Sequence, residues 1–303
     1  MKLEKYENIG KNIDFWLKNY LNDKKAKNYS KHTIIGYKKV ITTFKEFCIL
    51  ENEEIEIGFL DMNRYFFNSF IAYLKDKNLS DKSIEFYINV VKNFFRFISE
   101  ENSQNIDIVS PLKKVHIKVI QKEANHYTKD EIEKIEIYLK NLIDKSKIYS
   151  KIRNGVAILF LIYTGIRAGE LLKLKKEDVF LDENMYKIKV LGKGNKERIV
   201  YIEKHLIEKE YNKLLEFGFN NFDIAYLTLY QYNERLCKKL NIPNKGLHSY
   251  RHSLAIKAVE NDINLETIKE WMGHSSIMIT SKYYAKANEK AKKGMAEKLN
   301  SLK

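Results

Sequence analysis

The sequence is poor in residues that interrupt regular structure, with 2 prolines and 12 glycines in 303 residues. So few breakers exclude long irregular regions and favour long elements joined by short turns. Cysteine is as scarce. Cys48 and Cys237 stand far apart with no CxxC partner, which argues against a disulfide framework or a thiolate metal site and fits two reduced core residues. No run approaches 18 apolar residues, and the longest, Val156 to Tyr163, suits a buried helix. The opening MKLEKYENIGKN has no apolar signal core, so a cytoplasmic chain with no membrane attachment is expected. There is no GxxxxGKS/T loop, no HExxH and no acidic metal cluster, which speaks against an ATPase, a zinc protease or a two-metal nuclease.

What the sequence does have is positive charge. Lys and Arg total 54 against 40 acidic residues, a net +14, with a pI near 9.3. A surplus of this size suits a polyanion partner, because each phosphate contact releases counterions. The length and a hydrophobic fraction of 44% are enough for two domains with a core each.

The first hundred residues read as four helices packed as two antiparallel hairpins, giving a mainly α fold there. Ile13, Trp16, Leu17 and Tyr20 start the first helix. Ser30 or Thr33 caps a second, whose one face carries Ile34, Tyr37, Val40, Ile41, Phe44, Phe47 and Cys48. Asp61 is expected to cap a third, and Ser80 or Asp81 a fourth. From Glu100 to Lys122 the chain turns polar and basic, and residues 106–124 read as an extended linker between a helical domain at 1–105 and a second domain at 125–303. The second domain opens on a capping box, Thr128 with Glu131. A helix buried all round follows over Ile152–Tyr163, broken by Thr164-Gly165. Alternating apolar residues on either side of Gly192-Lys193-Gly194-Asn195 predict a small β-hairpin. Beyond Glu203 the pattern is helical again.

Cutting a phosphodiester without a metal needs fixed cations around the phosphate, an in-line nucleophile and a general acid for the leaving oxygen. Arg suits the clamp, being planar, forked and always charged. Arg167 sits at the sharp turn after the buried helix, with Glu170 three residues on to hold its guanidinium. His248 and Arg251 share one helix face in HSYRH. With 7 His and 7 Arg in the chain, roughly 0.16 such pairs arise by chance, so this pair means little by itself. His252 adds an i, i+4 pair with His248, but no third metal ligand stands nearby in the sequence. Gly273 is expected to end a helix begun near Asn264 and to present His274 to a cleft. Tyr283 follows nine positions later, with Tyr284 next to it.

Taken in order, TGIRAGEL, GKGNKER, HSYRH, WMGHSS and SKYY closely resemble the tyrosine recombinases of the phage-integrase family, in particular the Xer-like site-specific recombinases. The resemblance is close over about 125–290 and looser over 13–100, where it corresponds to the helical, SAM-like core-binding module. It implies a mainly α fold with a small hairpin sheet in the catalytic domain, the two domains closing on DNA as a C-shaped clamp. By position, Arg167 and Arg251 correspond to the phosphate-clamping arginines and His248 to the residue that assists the clamp and proton transfers. Lys193 corresponds to the general acid for the 5′ oxygen, with Lys196 as the alternative. His274 corresponds to a donor to a non-bridging oxygen. Tyr283 corresponds to the nucleophile, with Tyr284 as the alternative. Ala168-Gly169 and Trp271 depart from the residues common at those places, without removing a reactive group.

The implied reaction is site-specific recombination through a 3′-phosphotyrosine, needing no metal, nucleotide or other cofactor. The implied partners are double-stranded DNA with a short inverted-repeat core site and further copies of the chain, a homotetramer on synapsed DNA, with or without a second recombinase or accessory protein. Ala287, Ala291, Met295, Leu299 and Leu302 recur at helical spacing, which suits a tail docked on a neighbouring protomer or packed on its own domain. Two rival readings stay open: a type IB topoisomerase-like enzyme that relaxes supercoils, and a catalytically silent DNA-binding relative. Chromosome-dimer resolution and the integration or excision of a mobile element are not separated by these motifs, although the lack of a further arm-binding domain leans toward the simple Xer-like kind.

Overall fold

A computed structural model describes residues 8–52, 57–119, 125–192, 196–274 and 276–278. The chain divides into two compact units, Met1–Lys122 and Glu123–Lys303.

The first unit is four helices, α1 (Ile9–Ala26), α2 (Lys31–Asn52), α3 (Arg64–Asp76) and α4 (Asp81–Glu101). Each begins where a short polar side chain can take up an orphan amide. The Ser30 hydroxyl accepts from the Thr33 amide at 3.1 Å, and Ser80 does the same for Ser83 at 3.3 Å. For α3 the cap is Asn63, which accepts from Tyr65 and Phe66. Asp61, the expected cap, instead closes its own turn on the Gly58 amide at 3.0 Å. The apolar faces meet in an aromatic core in which Phe44, Phe67, Phe70, Phe94 and Phe95 are all fully buried. Phe44 is edge-on to Phe70 and Phe95 and stacked on Phe67, geometries that add to plain area burial.

The segment that reads as a polar linker contributes to this unit as well. Ile108, Leu112 and Val115 are buried in its core, with Ile106 and Ile117 packed against it. Asn102 holds the turn that sends the chain back. Its amide nitrogen donates to the carbonyls of Ile98, Ser99 and Ile106, while its oxygen accepts from Gln104 and Ile106.

The second unit is built around α6 (Tyr149–Thr164), whose residues Val156 to Leu161 are at most 1% exposed. Each of the larger apolar side chains among them contributes about 1.5–3 kcal/mol through burial, which is why a helix with almost no polar face is stable here. Around it lie α5 (Lys129–Lys145), the one-turn α7 (Ala168–Leu171), α8 (Lys204–Glu216), α9 (Tyr226–Lys239), α10 (His248–Glu260) and α11 (Leu265–Met272). The predicted capping box of α5 is present, with both its Thr128 and Glu131 bonds made. The predicted hairpin is also present, as β2 (Met185–Leu191) against β3 (Glu197–Glu203). A further strand, β1 (Val179–Asp182), completes an antiparallel sheet in the order β1-β2-β3. In its register Ile188 faces Val200, Tyr186 faces Ile202, and Val190 faces Arg198. The alternation buries Tyr186, Ile188, Val190, Val200 and Ile202 and turns Arg198 to the same inner side. Among the described residues no helix is long and apolar enough to cross a membrane.

Candidate active site

Two left-handed glycines bring the site together. Gly165 (φ 62°) ends α6, and Gly273 (φ 61°) ends α11, a conformation that costs glycine little and other residues more. Each redirects the chain within one residue. After Gly165 the chain runs through Ile166 to Arg167, the N-cap of α7. After Gly273 the His274 amide closes back onto the Lys269 carbonyl at 3.0 Å.

Arginine side chains stitch these turns to one another. Arg251, on the first turn of α10 and 1% exposed, donates from Nη1 to the Gly165 carbonyl at 3.0 Å and from Nη2 to the Met272 carbonyl. Arg167 donates from Nη2 to the Gly273 carbonyl at 3.2 Å and from Nη1 to Glu170 Oε1 at 2.8 Å. The Trp271 indole donates to the Thr164 carbonyl at 2.8 Å, tying the same two turns from the other side. Burial raises the Glu170 carboxyl, but the hydrogen bonds and charges of Arg198 and Arg167 outweigh it and hold the group below its usual range.

The two histidines lie within the field of these cations. The His274 imidazole has its pKa lowered to about 4, by burial first and then by Arg251, Arg167, His248 and His252. At 8% exposure it is packed in rather than presented to a cleft as the sequence suggests, because the Gly273 turn folds it back into the unit. His248 opens α10 and is exposed. The desolvation it does undergo, then the charges of Arg251 and Arg167, lower its pKa, and Glu170 opposes them. Its ring stands edge-on to His252 at 4.7 Å. The described part of the site therefore gathers permanent positive charge with neutral imidazoles beside it.

Of the residues singled out from sequence, Arg167, His248, Arg251 and His274 come together in this way. Lys193, Tyr283 and the tail from Lys286 lie outside the described residues. Gly192, the last described residue before Lys193, lies at the edge of the cluster, since a Cβ there would stand 3.5 Å from Arg198 Nη1 and 3.6 Å from Glu170 Oε1.

Sequence reasoning misses two supports. One is Arg198, whose partners are Glu170 and the Trp271 carbonyl. The other is a buried polar knot behind α10. The Tyr127 hydroxyl accepts from Asn233 Nδ2 at 3.1 Å and the Lys245 amide at 3.2 Å, while Tyr250 donates to Asn233 Oδ1 at 2.6 Å. Tyr127 also stacks on Tyr250 with ring centres 4.7 Å apart. Ser253 receives the Tyr127 amide and donates back to its carbonyl. The knot fixes the helix that carries His248 and Arg251, which is how a rigid base preorganises reacting groups. Its sequence signal is faint, because Tyr127 and Asn233 are 106 residues apart.

A four-helix unit followed by a helical unit with a small sheet and an arginine-histidine cluster is the architecture of the phage integrases, and the chain belongs to the phage integrase family. Residues 125–290 match that family, and residues 15–97 match the phage integrase SAM-like domain. Among its relatives is the tyrosine recombinase XerC of Rickettsia felis, 27% identical over 291 residues that cover 89% of this chain and 90% of the relative. In fold the chain is similar to the XerH site-specific recombinase bound to a palindromic difH substrate, with a TM-score of 0.83 and 20% identity, covering 97% of this chain and 98% of that one. It is also similar to a lambda integrase whose tetramer is bound to a Holliday junction, with a TM-score of 0.65 and 16% identity, covering 87% of this chain and 77% of that one. The chain is a tyrosine recombinase, an enzyme of site-specific DNA recombination.

Proposed function

We propose that this enzyme cuts and rejoins double-stranded DNA through Tyr283, with Arg167 and Arg251 clamping the scissile phosphate. The observation that carries this reading is the meeting of two guanidiniums and two neutral imidazoles at the Gly165 and Gly273 turns. The Tyr283 oxygen attacks phosphorus in line, passing its proton to His248, and a new O–P bond forms as the bond to the 5′ oxygen breaks. Lys193 gives that oxygen a proton, and His274 donates to a non-bridging oxygen. Charge builds on the non-bridging oxygens in the transition state, where fixed Arg donors are worth most. The product is a 3′-phosphotyrosine and a free 5′ hydroxyl. A 5′ hydroxyl from a second duplex then reverses the step, so one phosphoester bond replaces another and no nucleotide is consumed.

Residues 1–105 serve as the core-binding region and 125–303 as the catalytic region, with the basic segment 106–124 between them. The relatives seen on difH DNA and as a tetramer on a Holliday junction support double-stranded DNA as substrate and a homotetramer as the working assembly. The enzyme works in the cytoplasm, where its DNA is. The test is a trapping assay with nicked duplexes drawn from the source genome. Wild-type protein gives a covalent protein–DNA band on a denaturing gel, and Tyr283→Phe gives none. A band that persists in the mutant removes Tyr283 from its role.

A further inference from the structure

Among the described residues of the second unit, Glu170 is the most heavily used carboxylate. It is 7% exposed and takes four donors. The Arg167 amide and Arg198 Nη2 reach Oε2 at 2.8 and 2.7 Å, and Arg167 Nη1 and Arg198 Nη1 reach Oε1 at 2.8 and 3.1 Å. Two donors on each oxygen fill the roughly four lone-pair sites that a carboxylate offers. Arg198 has one more bond, from Nε to the Trp271 carbonyl at 2.8 Å. Its guanidinium lies against the Gly273 turn, where a Cβ would stand 3.1 Å from Nη1 and 3.2 Å from Cζ. One side chain from β3 thus touches both the carboxylate that holds Arg167 and the turn that delivers His274. Its own side chain is only 12% exposed, and in the reading above it does not touch the phosphate.

The charges give this contact its consequence. One buried carboxylate lies between two guanidiniums. With Arg198 in place, Glu170 is neutralised by it, and Arg167 needs only one Nη on the carboxylate. Its other Nη is then turned to Gly273, on the side of His274. Without Arg198, two acceptor sites on a buried anion fall open. Arg167 is the other guanidinium bonded there, and a fork–fork pair would draw in both its Nη atoms and cancel its charge.

We infer that Arg198 is a positioning residue for strand cleavage, saturating Glu170 so that Arg167 keeps its charge for the phosphate and bracing the turn that carries His274. This rests on the strand-cleaving function proposed above. It separates from a purely structural role by one signature. If Arg198 acts by neutralising Glu170, removing the carboxylate as well must restore what its loss takes away.

The experiment compares wild type, Arg198→Met, Arg198→Lys, Glu170→Gln and the double variant Arg198→Met/Glu170→Gln. The readout is the single-turnover rate of covalent complex formation on the nicked genomic duplex that wild type traps, with affinity for that duplex measured separately. Arg198→Met is expected to slow cleavage roughly 10- to 100-fold, the scale seen when an outer partner that orients a metal ligand is lost, with little change in affinity. The double variant is expected to regain most of that rate, and Arg198→Lys to fall between. Wild-type rate in Arg198→Met overturns the inference, and so does a double variant as slow as the single. Thermal melting checks each fold. If Arg198→Met does not fold, the same cycle is run with Arg198→Lys and Glu170→Gln.

A second arm uses inorganic sulfate as the probe, followed through the imidazole resonances of His248 and His274. Sulfate binding should weaken in Arg198→Met and recover in the double variant, and unchanged binding overturns the inference. If wild type traps no duplex, strand cleavage as the function is at fault, and the sulfate arm still decides the role of Arg198.

Discussion

Arg251 carries two duties that its sequence context hardly distinguishes. It is a cation of the proposed phosphate clamp, and it is a fully buried tie between the Gly165 and Met272 carbonyls. Arg251→Lys keeps the charge but presents a single ammonium that cannot span both carbonyls. It should abolish strand cleavage and lower stability by about 1–3 kcal/mol, the cost of leaving a buried acceptor unpaired, as measured by denaturant unfolding. His274 makes a pH prediction. Its pKa falls from an ordinary 6.5 to about 4 in the fold, so between those values the unfolded chain binds more protons than the native one. Stability should therefore be full above about pH 6.5 and drain away as pH falls toward 4, a slope that His274→Gln makes shallower. Sulfate at the site should move the His274 titration upward, a shift that NMR can follow directly. Arg167, His248 and Arg251 were legible because a motif with fixed spacing marks them. Arg198 was not, because in GKGNKER it is one basic residue among several, and only the strand register turns it inward opposite Val190.

At the scale of elements, local chemistry was legible wherever a single residue decides the outcome. The Thr128–Glu131 capping box and the glycine stops at 165 and 273 stand in the structure as read. Where two short polar side chains compete two residues apart, the sequence reading took the wrong one. Asp61 and Asn63 are both good caps, and the turn geometry gave α3 to Asn63. The four-residue strand β1 escaped detection because Phe180, Leu181 and Asp182 are all exposed, so no buried alternation marks it. The aromatic packing of the first unit gives a firmer expectation. Phe44→Ala removes a ring with no exposure and contacts to Phe66, Phe67, Phe70 and Phe95. It should destabilise that unit by about 3–5 kcal/mol, seen as an earlier unfolding transition in calorimetry.

Over the whole molecule, composition led to the expectation of two domains and a polyanion partner, and it concealed how much of the connecting segment belongs to the first unit. Lys113, Lys114, His116 and Lys118 make residues 106–124 look solvated, yet Ile108, Leu112 and Val115 fasten the first part of that segment to the helical unit. The surplus of positive charge, +14, should show in the salt dependence of DNA binding. With about 6–10 phosphates neutralised, affinity should fall by about 10³–10⁵ between roughly 50 and 200 mM salt, as titrated by fluorescence anisotropy. A flat salt profile would rule out phosphate contacts as the source of affinity.

The most direct measurement is to digest the trapped covalent complex, sequence the DNA-bearing peptide by mass spectrometry and identify the free DNA end. The expected result is a 3′ phosphate on Tyr283 with a 5′ hydroxyl released from the same nick. An adduct on Tyr284 or another residue, or one joined to a 5′ phosphate, would contradict it.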